Sequence, residues 1–138
     1  MAFIRVIHPK HYDPRKKRFQ SPAFKPSKAN KISVFEEECA IQASGSKCAH
    51  IRKFYPTVTG EPPIFWEVPS STFGKQGCHC EQIISDTGDP CHHNIMGIPE
   101  KEARRIIISV PTHEFMICDS QGIRPLQESD LPCDFDPL

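Results

Sequence analysis

A chain of 138 residues with 38% apolar and 25% charged side chains has the make-up of one folded domain, which excludes a disordered or collagen-like polymer. Apolar runs such as Ile106-Ile107-Ile108 fall far short of the roughly 20 residues that cross a bilayer, so neither a helical membrane span nor a membrane partner is expected. Formal net charge is zero, yet residues 1–31 carry nine Lys and Arg against Asp13 alone, while the remaining 107 residues carry eight basic and sixteen acidic side chains.

Fourteen prolines, about double the usual share, predict short elements and many loops. The opening "MAFIRVIHPKHY" lacks the apolar stretch of a secretory signal. Seven cysteines is an odd number. Together these point to a cytoplasmic protein whose cysteines are free thiols or metal ligands.

In chain order, "AFIRVIH" (2–8) alternates and predicts a strand, ended by Pro9. Residues 9–30 mix prolines with cations, show no period and read as a long basic surface loop. "KISVF" (31–35) predicts a second strand, and "EEECAIQA" (36–43) a short helix stopped near Gly45. Ser46 is a fitting N-cap for another helix over 46–55. "PPIFWEVP" (62–69) reads as a strand bracketed by prolines, which favours a sheet edge. "CHCEQIIS" (78–85) and "HHNIMG" (92–97) read as strands either side of a "DTGDP" turn. Pro99, Glu100 and Glu102 open a helix in which Ala103, Ile106, Ile107 and Val110 form one apolar stripe. "HEFMICD" (113–119) predicts a last strand. The expected organisation is a single α+β domain over residues 1–125, with a mixed or mainly antiparallel sheet under two or three short helices. Residues 126–138 read as an acidic, poorly ordered tail.

The stretch "CHCEQIISDTGDPCHHN" (78–94) raises a metal question. A hairpin here would bring Cys78 or Cys80 towards Cys91, and with His93 these thiols would make a four-ligand set for zinc. Against zinc, Cys-x-Cys is tighter than the spacing that lets a backbone curl around the metal, and thiols also pack as small hydrophobes. A thiol beside a histidine is also a possible nucleophile. Cys39, Cys48, Cys118 and Cys133 are dispersed and read as core or exposed thiols.

Arg5, His8, Ser21, Ser33 and His92 form a polar set at strand ends and loop edges. An arginine, a hydroxyl and a titratable imidazole suit a nucleotide or phosphoryl ligand, or a small transferase or hydrolase that uses His92 with Arg5 and Ser21. The bland alternative is that the serines bond backbone and His92 caps a turn. "RVIHP", "SPAFKPSKANKISV" and "DPCHHNIMG" together resemble a group of small bacterial proteins without an assigned activity. The resemblance rests on Ser21, Ala23, Phe24, Ser33, Val34, Pro90, His92 and Gly97, covers about a third of the chain, and implies a bacterial protein in which His92 rather than the thiols is of interest. An arginine on the first strand and a serine on the second is also similar to some ADP-ribosyltransferase-like folds, for which Glu114 is the nearest candidate glutamate.

Arg15, Lys16, Lys17 and Arg18, followed by Phe19, combine cations with a ring and suit single-stranded nucleic acid. A solvated loop lying on its own acidic body fits equally. Phe65 and Trp66 read as core, or as a patch for a protein partner. Three functional classes therefore stand: an anionic nucleotide or nucleic-acid binder, a small transferase or hydrolase, and a protein–protein module.

Overall fold

A computed structural model describes residues 2–28, 30–56, 61–74, 79–82 and 88–131, with residues 73–74 and 79–81 described by backbone alone. Nine strands and three helices are placed among them, and the α+β class is as the sequence implies. The strands are β1 (Phe3–Ile7), β2 (Tyr12–Asp13), β3 (Arg18–Phe19), β4 (Lys31–Glu36), β5 (Ile64–Glu67), β6 (His79–Gln82), β7 (His92–Met96), β8 (Met116–Asp119) and β9 (Gly122–Pro125). The helices are α1 (Glu37–Ser44), α2 (Lys47–Phe54) and α3 (Glu100–Ile108). Seven strands form one antiparallel sheet in the order β6-β7-β4-β1-β5-β8-β9, and β2 and β3 make a separate hairpin.

The sheet is packed on both faces. Alternation along β4 sends Ile32 and Val34 into one apolar cluster and Phe35 into another. The first cluster takes Phe19 and Phe24 from the N-terminal segment, Ala103 and Ile107 from α3, Trp66 from β5 and Phe115 from just before β8. Its rings interlock: Phe19 to Phe115 at 4.5 Å and Phe24 edge-on to Trp66 at 5.3 Å. The second cluster joins Ile4, Phe35 and Phe65 to Ala40 of α1 and Cys48 and Ile51 of α2.

Local signals account for the helix boundaries. Ser46 Oγ accepts from Ala49 N at 3.0 Å and starts α2. The Glu36 carboxylate accepts from Glu38 N and Cys39 N and starts α1, which ends at Gly45 with φ of +91°. The α3 stripe buries Ala103 and Ile107 as its period requires.

Four expectations are corrected. Residues 9–30 are not simply a surface loop, because Tyr12, Phe19, Ala23 and Phe24 are buried and pin the hairpin and the 3-10 turn Ser21–Phe24 onto the α3 side. β5 is not an edge strand: it lies between β1 and β8, since its prolines flank the four paired residues rather than interrupt them. The segment after 125 is ordered as far as Leu131, with Leu126 and Leu131 buried and the Asp130 carboxylate accepting two hydrogen bonds from Arg124. Lastly, Cys39, Cys48, Cys91 and Cys118 are not separate thiols. Cys39 is bonded to Cys91 and Cys48 to Cys118, fastening α1 to the start of β7 and α2 to β8.

Candidate functional site

β1 and β4 pair only at Phe3–Glu36 and Ile4–Phe35, and beyond Ile4 they part. The Arg5 side chain bridges the opening, donating from Nη1 to Ser33 O at 2.9 Å and from Nε to Ala23 O at 3.1 Å. Where the strands separate lies a cleft of about 170 Å³ lined by Arg5, Val6, Ser33, Phe35 and Tyr55. Among the described residues no carboxylate pairs with Arg5, and burial pulls its pKa below the ordinary value. A desolvated cation held only by carbonyl dipoles lacks a countercharge.

Ser33 and Phe35 share a face of β4, and Phe35 stands opposite His92 in the register. That geometry brings Ser33 Oγ to 2.7 Å from His92 Nε2, with the His92 ring 6% exposed. Tyr55, the residue closing α2, covers the same face and stacks on Phe35 with ring centroids 5.8 Å apart. Its hydroxyl donates to Asp89 Oδ2. Burial, then the bond to Asp89, pushes the Tyr55 phenol far above its ordinary pKa, so it stays a neutral donor.

Behind Tyr55 lies a second polar group. His50 Nε2 is 2.8 Å from Asp89 Oδ1, His50 Nδ1 is 2.9 Å from Ser44 Oγ, and Cys91 N donates to Asp89 Oδ1 at 2.8 Å. Both His50 and Asp89 are fully buried. Sequence reasoning missed His50, Asp89 and Tyr55. Their recruitment depends on α2 docking against the turn that leads into β7, which no local motif announces.

The other expected residues fall elsewhere. Ser21 belongs to the 3-10 turn on the α3 side, whereas the Ser33–His92 pair lies on the α1–α2 side, so Ser21 does not join His92. His8 caps the short turn Pro9–His11, its Nδ1 accepting from Lys10 N at 3.2 Å. Glu114 is exposed in the turn before β8 and lines clefts beside Trp66 instead.

The hairpin expected at 78–94 is present in its described part, with β6 antiparallel to β7. It does not bring Cys80 to Cys91. Cys80 stands opposite Ile95, four positions past Cys91 and so about 13 Å away along the strand. Cys91 instead bonds Cys39, and the His93 ring packs on Phe3 at 5.0 Å. The expected set Cys78, Cys80, Cys91 and His93 is therefore not assembled around Cys91; Cys78 and most of the "DTGDP" turn lie outside the described residues.

Arg15 and Lys16 are exposed at the β2–β3 tip, their backbone N–H groups held by Asp13 Oδ1 at 2.9 and 3.4 Å. Lys17 meets Glu128 at 4.0 Å, and Lys25 meets Glu100 at 3.4 Å, so part of the basic segment rests on the acidic body. Arg18 is half-buried on β3. No helix among the described residues is long and apolar enough to cross a membrane. No family model, curated protein or solved structure matches the chain.

Proposed function

We propose that the protein binds a small anionic group, the phosphate or carboxylate of a nucleotide or similar ligand, in the cleft where β1 and β4 part. The observation that carries this reading is Arg5, a half-buried cation at the cleft wall whose hydrogen bonds among the described residues go to carbonyls. Guanidinium groups suit such anions because their donors match two oxygens at once. Size limits what enters. About 170 Å³ is below the roughly 300–1,000 Å³ of a pocket that encloses a drug-sized ligand, so the anionic group sits inside and the rest of the ligand outside.

The 2.7 Å Ser33–His92 contact favours a second reading, group transfer at the same cleft. Ser33 Oγ would attack an acyl or phosphoryl centre held by Arg5. His92 Nε2 would take the hydroxyl proton and return it to the leaving group. The two readings share Arg5 and differ in Ser33. Titration with inorganic phosphate and with a nucleoside monophosphate, followed by NMR, tests the first: Arg5→Gln should weaken binding at least tenfold with the fold intact. Equal binding by wild type and Arg5→Gln refutes it. Turnover of an aryl phosphate or ester that vanishes in Ser33→Ala while phosphate still binds selects the second.

The two disulfides favour an oxidising location over the expected cytoplasmic one, because cytosolic thiol systems keep cysteines reduced.

A further inference from the structure

The His50–Asp89 pair sits against the Cys39–Cys91 bridge, and the juxtaposition has a chemical use that neither partner has alone. One imidazole nitrogen of His50, one carboxylate oxygen of Asp89 and the Sγ of Cys91 all lie within 4.8 Å of one another, and all three residues are buried; Nε2 and Oδ1 are the facing pair, 2.8 Å apart. Cys39 Sγ lies outside that spacing but is bonded to Cys91 Sγ, so reduction of the bridge frees a second sulfur beside the group. We propose that reduction of the Cys39–Cys91 bridge converts this cluster into a zinc site with Cys39, Cys91, His50 and Asp89 as its four ligands.

The donor set is chemically apt. Two thiolates, one imidazole and one carboxylate all belong to zinc's ordinary ligand types, and four donors close a tetrahedral structural site. The supporting shell is already in place. Metal-bound imidazoles and carboxylates are typically held by further hydrogen bonds that fix their orientation. Here Ser44 Oγ lies 2.9 Å from His50 Nδ1, the ring nitrogen away from the cluster, and the Tyr55 hydroxyl donates to the second oxygen of Asp89. Those two contacts leave Nε2 and Oδ1 directed at each other beside the sulfurs.

A dithiol attacks the bridge, leaves as its own cyclic disulfide, and delivers two electrons and two protons to give two thiols. Zinc(II) then displaces those two protons and binds the thiolates, while the proton that Nε2 of His50 shares with Asp89 in the oxidised form moves to Nδ1, facing Ser44 Oγ, and leaves Nε2 free for the metal. Cys39 is only partly buried, whereas both Cys48 and Cys118 are buried, so Cys39–Cys91 is the bridge open to attack. Whether the cluster holds a disulfide or a metal then depends on the surroundings of the protein. In an oxidising compartment α1 is fastened to β7 by a covalent bond, and in a reducing one by zinc.

The experiment uses the full chain with Cys78, Cys80 and Cys133 replaced by serine, so that every sulfur left on a cysteine belongs to one of the two described bridges. Oxidised and dithiol-reduced samples are titrated with zinc(II), and with cobalt(II) as a spectroscopic substitute. The expected result is about one equivalent bound by the reduced protein only, with sulfur-to-cobalt charge-transfer absorption, and at least tenfold weaker binding in His50→Ala and Asp89→Asn. Should reduced protein lose its fold without metal, zinc must restore the native circular dichroism. The proposal is overturned if oxidised protein binds as tightly, if both ligand variants bind like the parent, or if zinc neither binds to nor refolds the reduced chain.

Discussion

Replacing Cys48 and Cys118 together with alanine removes one bridge and leaves Cys39–Cys91 to hold the other helix. The two bridges interleave along the chain, at 39–91 and 48–118, with separations of 52 and 70 residues. In the unfolded chain the shorter path from Cys48 to Cys118 therefore runs back to Cys39, across that bridge and on from Cys91. A closed loop of about 37 residues gives roughly 4 kcal/mol of chain-entropy stabilisation. A melting entropy of about 2.1 cal/mol/K per residue comes to roughly 0.3 kcal/mol/K for this chain, so the midpoint should fall by about 13 °C. Cys118 is fully buried, and losing its sulfur from the core adds to the fall. Thermal unfolding followed by circular dichroism, with intact mass confirming the remaining bridge, measures it. A fall of less than about 3 °C, with Cys39–Cys91 still formed, would refute the entropic argument for this bridge.

Burial, then the positive charges of Lys10, His8 and Arg5, depress His11 from its ordinary 6.5 to about 4. A histidine held neutral in the folded state contributes stability above pH 6.5 that is lost as pH falls from there towards 4. NMR titration of the His11 ring should give a midpoint near 4, and His11→Gln should flatten the acid side of the stability profile; a midpoint near 6.5 contradicts this. For the basic hairpin, replacing Arg15, Lys16, Lys17 and Arg18 with alanine should weaken any binding to single-stranded RNA or DNA and reduce its salt dependence. Identical binding curves for wild type and variant across salt concentrations would remove nucleic acid as a partner of that hairpin.

Where the sequence carried a local rule, the element could be read from it. The α3 stripe and the Ser46 cap are periodicity and capping chemistry, and both depend on neighbours within one helical turn. β5 misled because flanking prolines look like edge signals. Pro63 lacks an N–H, but its carbonyl still accepts from Cys118 N at 2.9 Å, and the paired residues begin immediately after it. The segment 9–30 misled for a different reason. Its charges dominate any window, while the residues that anchor it, Tyr12, Phe19 and Phe24, are spaced irregularly and find partners on α3 and Phe115. At the cleft, Arg5, Ser33 and His92 were legible as chemically capable side chains. The contact of His92 with Ser33 rather than Ser21 and the arrival of Tyr55 depend on strand register and helix docking. The cysteine pairing was hidden in the same way, since each bridge joins a helix to a strand more than fifty residues away.

The interleaving of the two bridges also decides what a protease can accomplish. A cut anywhere between residues 48 and 91 leaves Cys39 and Cys48 on one fragment and Cys91 and Cys118 on the other, so the halves stay joined twice. A cut between 39 and 48, or between 91 and 118, leaves one of these two bonds across the break. Nicking at any peptide bond from Cys39 to Cys118 therefore yields a two-chain molecule of unreduced mass plus one water, and fragments separate only after reductant is added.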